Sequence, residues 1–208
     1  MFDVIRFASA AQSIIDAGAF LYRRGWSPAT SSNYSVRLDA NQVAITVSGK
    51  HKGQLGAGDV MVVDLQGQPV QSQARPSAET RLHTTLYQLF PDVGAVLHTH
   101  SVKATVLSRL CRLGEPLMIE GYELQKAFVG IDTHESKLTV PVFDNSQDID
   151  ALAQQTTDWL RDHPDQPGYL IRGHGLYTWG RTMEDCLRQV EAFEFLFECE
   201  LETMRVRP

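Results

Sequence analysis

Two histidines separated by one residue are the feature of this sequence that most directly indicates chemistry. His98 and His100 follow the apolar run 95–97, a pattern typical of the end of a β-strand. Side chains alternate between the two faces of a strand, so both rings point the same way, with α-carbons about 6.5–7 Å apart. At that spacing both imidazoles can bind one metal ion. A third imidazole from a distant segment would complete a catalytic zinc site with one open position.

His174, which lies between Gly173 and Gly175, is the candidate for the third ligand. Glycines on both sides of a histidine indicate a close approach of the backbone, which a histidine that only packs rarely needs. Histidine pairs on strands also occur without metal, as surface or core residues. The pattern nevertheless favours one zinc ion. The other four histidines are interpreted as structural or surface residues: His51, His83, His134 and His163.

Three segments rich in hydroxyl, amide and glycine groups are the second chemical feature. They cover residues 29–33, 46–53 and 75–79, and the last of them opens a helix. Backbone N–H groups in such loops, and the N-terminus of a helix, bind anions. Lys50 and Lys52 add positive charge. Each segment alone is typical of an ordinary turn, but the three together predict a phosphate site.

Two carboxylates are candidates for moving protons. Glu79 lies in the segment 77–81, and Glu123 lies in the segment 121–126. A general acid or base must come within hydrogen-bond reach of the reacting atom. Each glutamate could equally be a solvated helix residue, and the spacing leaves the choice between the two open.

The periodicity of the apolar residues predicts an α/β fold. Hairpin-like neighbours at 33–47 and 169–179 favour a largely antiparallel sheet with helices on both faces. Helical spacing covers 7–22, 78–90, 102–110, 121–128, 149–160 and a long final stretch that Thr182 can cap. Strands are predicted at 33–38, 43–47, 60–65, 93–99, 138–143, 169–172 and 176–179. Pro141 places its strand near an edge or end of the sheet. The final helix has apolar residues on more than one side, so it is deeply buried or meets a partner.

Length and composition exclude several classes of protein. The 208 residues predict one domain, 1–208, which is long enough to bury a full core. A net charge of −6 argues against a nucleic-acid-binding surface. The start of the chain lacks the pattern of a signal peptide, and no apolar run reaches the roughly 18 residues of a membrane span. The three cysteines lack metal spacing, so we expect free thiols in a reducing compartment and hence a cytoplasmic location. From the net charge and the short apolar runs we expect no nucleic-acid partner and no membrane.

Taken together, these motifs resemble the zinc-dependent class II aldolase/epimerase superfamily, which includes the adducin head. The resemblance covers nearly the whole chain, in order. Its motifs are Ser32-Asn33, Ser48-Gly49, Pro76-Ser77-Ala78-Glu79, His98-Thr99-His100-Ser101 and Gly173-His174-Gly175. Within the superfamily, the segments 48–53 and 194–200 resemble a branch of bacterial dehydratases.

The resemblance implies a class II aldolase-like α/β/α domain with one Zn²⁺ per subunit, held by His98, His100 and His174. It implies a small sugar phosphate as substrate, with its phosphate surrounded by Asn33, Ser48, Gly49 and Ser77. From the charge of the loop itself, we expect Lys50 to bind the substrate as well. The family forms homotetramers with active sites near subunit boundaries. A non-catalytic module such as the adducin head is disfavoured, because a scaffold has no need of three converging imidazoles.

The implied reaction is the removal of water from a ketose phosphate through a zinc-stabilised enediolate. The alternative is an aldolase or epimerase that acts on another sugar phosphate. Glu79 falls where the aldolases keep their acid–base carboxylate, and Glu123 falls where the dehydratase branch places its own. On this resemblance, Glu123 is expected to be the main acid–base residue and Glu79 the second candidate.

Overall fold

A computed structural model describes residues 3–206 of the chain, which form five α-helices, nine strands and short 3₁₀ helices. The α-helices are α1 (Val4–Arg23), α2 (Thr80–Leu89), α3 (Val102–Leu110), α4 (Ile149–Asp162) and α5 (Met183–Val206). The strands are β1 (Asn33–Arg37), β2 (Gln42–Thr46), β3 (Val60–Asp64), β4 (Ala95–Thr99), β5 (Leu117–Ile119), β6 (Leu138–Val140), β7 (Val142–Phe143), β8 (Gly168–Ile171) and β9 (Gly175–Gly180). Short 3₁₀ helices cover Lys52–Gln54, Ala57–Asp59 and Glu123–Ala127.

Seven of these strands form one sheet, in the order β3-β2-β1-β4-β9-β8-β7. Every neighbouring pair in it is antiparallel except β7 and β8. β5 and β6 form a separate antiparallel pair. The predicted α/β fold with a largely antiparallel sheet is confirmed.

The alternation of side chains along β4 shows how the helices cover the sheet. Val96 packs in a core cluster with residues of α2 and α4, whereas Ala95 and Leu97 pack in a second cluster with residues of α1 and α5. Helices therefore lie on both faces. His98 is two residues from Val96 and so points to the α2 face of the sheet. Glu79, which directly precedes α2, is on that same side.

The register of the three central strands lines up polar residues across the sheet. Asn33 of β1 lies directly opposite His98 of β4, and His98 lies directly opposite Tyr177 of β9. Residues directly opposite each other share a face of the sheet, with β-carbons about 4.5–5.5 Å apart. The register therefore places Asn33, His98 and Tyr177 in one row beside the start of α2.

Two of the predicted elements take a different form in the structure. The segment predicted as a helix at 121–128 forms only the 3₁₀ helix Glu123–Ala127. Pro141 divides the strand predicted at 138–143, so that β6 pairs with β5 while β7 pairs with β8 at the edge of the main sheet. A proline cannot donate to a sheet ladder, which explains the break.

The two long helices at the ends of the described chain pack on the core. α5 begins after Thr182, whose side chain accepts the backbone N–H of Asp185 at 3.1 Å, as predicted for the cap. Within residues 3–206, α1 alone is long and apolar enough to cross a membrane by length and composition. That evidence is weak, because a core helix passes the same test. Ile14 and Leu21 of α1 are fully buried in the core of this protein.

Candidate active site

Three histidine rings converge at one end of β4. His98 lies on β4, His100 follows it by two residues, and His174 lies in the turn between β8 and β9. The ring centroids are 4.5 Å apart for His98 and His100, 4.9 Å for His98 and His174, and 4.6 Å for His100 and His174. The structure thus brings together the three histidines that the sequence grouped.

The glycines beside His174 allow its turn to come this close. Gly173 has a left-handed backbone, with φ of 66°, which glycine adopts at little cost. A β-carbon on Gly175 would lie only 1.9 Å from the carbonyl oxygen of Thr99. Any larger residue at position 175 would push the His174 turn away from the end of β4.

The carboxylate of Glu79 lies against two of these histidines. Its Oε2 is 3.3 Å from Nε2 of His98, and its Oε1 is 3.0 Å from Nε2 of His174. The Asn33 side-chain amide donates to Oε2 at 2.8 Å, and the Tyr177 hydroxyl donates to the same oxygen at 2.9 Å. Burial opposes ionisation of Glu79, but His98, His174 and the Asn33 hydrogen bond outweigh it and hold the pKa of Glu79 well below its usual range.

Burial also keeps two of these histidines, His98 and His100, neutral. It lowers the pKa of His98 to about 4 and the pKa of His100 to about 3. Nδ1 of His98 donates to the backbone carbonyl of Leu176 at 2.9 Å, which leaves the Nε2 lone pair facing the cluster. Neutral imidazoles are the form that binds a metal, and a hydrogen bond on the far ring nitrogen is the usual support for such a ligand.

The donor set fits a zinc ion. One ligand atom from each of Glu79, His98, His100 and His174 lies within 4.8 Å of the others. Within residues 3–206, the buried Nε2 of His98 has no hydrogen-bond partner, as expected for an atom that serves as a ligand. Three imidazole nitrogens with a carboxylate oxygen or an open fourth position are typical of zinc sites.

A cavity of about 210 Å³ adjoins the cluster and reaches the start of α2. Glu79 and His100 line one part of it. The rest is lined mainly by hydroxyl, amide and small residues: Thr30, Ser31, Ser32, Asn33, Thr46, Ser48, Gly49 and Ser77. Asn33, Ser48, Gly49 and Ser77, which the sequence placed around a phosphate, therefore lie together beside the histidines. Such a lining binds an anion through hydrogen bonds, which are stronger to a charged acceptor.

Of the two lysines that the sequence offered as positive charges, Lys52 lines this cavity, whereas Lys50, which was expected to bind the substrate, does not. Nζ of Lys50 lies 2.8 Å from the Asp59 carboxylate, and Lys50 is absent from the cavity lining. The left-handed Gly49, with φ of 73°, turns the chain just before Lys50. Lys52 is almost fully buried in the lining and donates to the carbonyl of Thr30 at 3.2 Å and to that of Lys50 at 2.6 Å. Burial lowers the pKa of Lys52 to about 8.

Glu123, the other acid–base candidate, lies away from the histidine cluster of its own chain. Its side chain is 73% exposed and pairs with Nζ of Lys126 at 2.5 Å. The 3₁₀ helix is anchored by the buried Gln125, whose side chain accepts from the Tyr122 N–H at 3.0 Å and donates to the Ser136 carbonyl at 2.7 Å. With Gln125 turned inward, Glu123 faces outward. Glu79 is the acid–base candidate that this chain itself brings to the histidines.

Two polar residues of the site were missed by the sequence analysis. Tyr177 donates to Glu79 across the row set by the strand register, which no local pattern reveals. His83, interpreted as a structural or surface residue, is fully buried and hydrogen-bonds to Asn33. Its position four residues after Glu79 on a predicted helix was the available signal, because residues at that spacing share a helix face.

The fold and the site agree with the family that the sequence matches. Residues 12–201 match the family described as Class II Aldolase and Adducin N-terminal domain, and the chain belongs to this family. A methylthioribulose-1-phosphate dehydratase of Marinobacter nauticus is 77% identical over 207 residues, with 100% of both chains covered. One of Hahella chejuensis is 63% identical over 207 residues, again with 100% of each covered. Among solved structures, the crystal structure of YgbL from Klebsiella pneumoniae has a TM-score of 0.80 and 26% identity, covering 97% of this chain and 92% of that chain.

Because His83, His98 and His100 are neutral in the folded protein, we predict that mild acid destabilises the metal-free protein. Burial lowers the pKa of His83 and His100 to about 3 and that of His98 to about 4, from an ordinary 6.5. Below pH 6.5 the unfolded chain takes up protons that the folded chain excludes, so the free energy of unfolding falls. Each such histidine removes about 1.4 kcal/mol per pH unit, or about 2 kcal/mol by pH 5.

Urea unfolding from pH 7 to pH 5, with a chelator present, measures this loss. His83→Gln removes one of the three histidines, so its unfolding free energy should depend less steeply on pH than that of the wild type. An identical pH dependence in the two proteins would contradict the assignment of His83 as a buried neutral histidine.

Proposed function

We propose that this protein is a methylthioribulose-1-phosphate dehydratase. It would remove water from 5-methylthioribulose 1-phosphate and yield 2,3-diketo-5-methylthiopentyl 1-phosphate, a step of methionine salvage. The observation that carries the proposal is the 77% identity, over the full length of both chains, with the Marinobacter nauticus protein of that name. The geometry supports it, because a cluster of three histidines and a carboxylate adjoins a cavity lined by anion-binding groups.

His98, His100 and His174 would hold one zinc ion per subunit. When bound, zinc acts as a Lewis acid that polarises the substrate carbonyl. The cavity residues would bind the phosphate at carbon 1, with Lys52 as the cation. This arrangement directs the carbonyl at carbon 2, and the hydroxyls at carbons 3 and 4, toward Glu79 and the histidines.

Glu79 is the residue that we assign to proton transfer. Its carboxylate takes the proton from carbon 3, and the same group then protonates the hydroxyl that departs from carbon 4. Loss of water leaves an enol between carbons 3 and 4, which becomes the ketone at carbon 3. Protonating the carbon 4 hydroxyl favours loss of water, whereas removing its proton would favour cleavage between carbons 3 and 4. Glu79 is ionised at neutral pH, as a group that accepts the first proton must be.

We also propose that the protein forms a homotetramer, as the family resemblance implies, and that it is located in the cytoplasm, where its free cysteines stay reduced. An apolar stripe on α3 supports an interface between copies of the chain. Val102, Val106 and Leu110 are spaced four residues apart, so they share one helix face, and all three are exposed. This stripe begins two residues after His100, so an interface formed there would lie close to the histidine cluster.

Product analysis after incubation of the purified protein with 5-methylthioribulose 1-phosphate tests the proposed function. We expect the diketone phosphate as the product. An aldolase would instead break the bond between carbons 3 and 4 and release an aldehyde, so aldehyde products from the wild type would overturn the proposal.

Glu79→Gln should lower turnover by ~10²–10⁴-fold, the usual contribution of a positioned acid–base group, while the fold is retained. Glu123→Gln is the matched control, because it makes the same change on an exposed glutamate and should keep turnover within a few-fold of the wild type. Steady-state kinetics and circular dichroism measure both effects. The reverse result, an inactive Glu123→Gln beside a near-normal Glu79→Gln, would mean that the acid–base group is supplied by Glu123 and not by the carboxylate within this chain's cluster.

Lys52→Met should raise KM for the phosphate ester by roughly 10–100-fold with little change in kcat, since hydrogen bonds to charged groups contribute about 1.5–3 kcal/mol. Lys50→Met removes the same charge two residues away, at the Asp59 ion pair, and should leave KM near the wild-type value. Equal KM values for the two variants would refute the assignment of Lys52 to the phosphate.

A further inference from the structure

A chain of buried hydrogen bonds reaches the Glu79 carboxylate from the core. His83 of α2 lies one helical turn after Glu79 and is fully buried. Its Nδ1 is 2.7 Å from Oγ of Ser35, which in turn is 2.9 Å from the Tyr87 hydroxyl. Its Nε2 is hydrogen-bonded to Oδ1 of Asn33, and Nδ2 of Asn33 donates to Glu79 at 2.8 Å. His83 and Asn33 thus connect Ser35 of the core to Oε2 of Glu79.

The chemistry of the partners determines where the protons lie in this chain. Oδ1 of Asn33 only accepts hydrogen bonds, so Nε2 of His83 must carry the hydrogen. The ring is neutral, because burial lowers the pKa of His83 to about 3. Nδ1 is therefore an acceptor, and it takes the hydroxyl hydrogen of Ser35. The Ser35 oxygen then accepts the hydrogen of the Tyr87 hydroxyl.

This order of donors determines the orientation of the Asn33 amide. With Oδ1 turned toward the N–H of His83, the NH₂ group faces Glu79. The opposite orientation would set the amide oxygen against the carboxylate and the amide hydrogens against the N–H of His83. Both contacts would be repulsive, and a buried polar group left without a partner is costly.

The two oxygens of Glu79 consequently differ. Oε2 accepts from Asn33 at 2.8 Å and from the Tyr177 hydroxyl at 2.9 Å. Oε1 lies 3.0 Å from Nε2 of His174, and within residues 3–206 no other donor contacts it. Both oxygens lie beside the histidine cluster, since Oε2 is 3.3 Å from Nε2 of His98, but only Oε2 is also held by two neutral donors from the sheet.

We propose that His83 is a positioning residue that, through the Asn33 amide, holds Oε2 of Glu79 and leaves Oε1 as the oxygen that transfers the proton. The inference rests on the proposed function for the identity of the reaction. Its structural part, the direction of the hydrogen bonds from His83 to Glu79, is independent of any substrate.

Two substitutions of His83 separate the positioning role from simple filling of the core. A glutamine amide can place an N–H near the position of Nε2, so His83→Gln keeps a donor for Asn33. An asparagine amide reaches only as far as Nδ1, so His83→Asn can still contact Ser35 but loses Asn33. Leu86→Val, on the same helix and equally within the core, controls for lost packing.

We expect His83→Asn to lower kcat by roughly 10–100-fold, the usual effect of removing a group that orients an active-site residue, with KM within about two-fold of the wild type. His83→Gln should restore most of the lost kcat, and Leu86→Val should lower the melting temperature without lowering kcat at 25 °C. Zinc content is measured for each variant and should remain equal. An unchanged kcat in His83→Asn, or an equal loss in His83→Gln, would overturn the proposal.

Nitrogen-15 NMR of the imidazole rings tests the same hydrogen bonds without substrate. His83 should show a protonated Nε2 and an unprotonated Nδ1 throughout pH 6–8. The opposite tautomer would overturn the proposal even in an active enzyme. If the wild type fails to dehydrate 5-methylthioribulose 1-phosphate while His83 shows the expected tautomer, the proposed function fails and the positioning of Glu79 stands.

Discussion

The buried carboxylate of Glu79 is the group on which the rest of the site depends. An ionised carboxylate away from water is strongly destabilising unless charges or hydrogen-bond donors surround it. Four residues from separate parts of the chain surround it here: Asn33 and Tyr177 donate hydrogen bonds to it, and the rings of His98 and His174 lie 3.3 Å and 3.0 Å from its oxygens. Three of them lie on neighbouring strands β1, β4 and β9, and the fourth lies in the turn that leads into β9. The sheet therefore brings the residues that surround Glu79 to the start of α2.

This dependence explains why strand register matters more than any single contact. Asn33, His98 and Tyr177 face Glu79 only because they occupy opposing positions on the three strands. A slip of one residue in either pairing would turn one of these three side chains to the α1 face of the sheet. The Glu79 carboxylate would then lose that residue as a partner. The tight approach of Gly175 to the Thr99 carbonyl serves the same end, since it keeps the His174 turn against the end of β4.

The parts of the site that could be predicted are those in which chemistry is local in the sequence. His98 and His100 share a strand face by simple alternation, and the glycines beside His174 indicate its close approach. The antiparallel sheet with helices on its faces followed from hairpin-like neighbouring strands in the same way. Glu79 was one of two candidate acid–base carboxylates, and the spacing alone did not separate it from Glu123.

Other features depend on geometry that the sequence does not display. The left-handed Gly49 and the following 3₁₀ helix decide that Lys52, and not Lys50, lines the cavity. The buried Gln125 decides that Glu123 faces outward in this chain. The hydrogen bond from His83 to Asn33 joins residues fifty positions apart, and it forms only once α2 is packed on β1. In each case a tertiary contact sets the direction of a side chain that local propensity leaves free.

We propose that the imidazoles of His98, His100 and His174 hold one zinc ion beside the carboxylate of Glu79. Anomalous diffraction from crystals of the protein purified without chelators, recorded above and below the zinc absorption edge, tests it most directly. We predict one zinc peak per chain, enclosed by the rings of His98, His100 and His174 and next to Glu79. If protein that was supplied with zinc shows no peak among these rings, or binds its zinc elsewhere, the three histidines are not the zinc ligands.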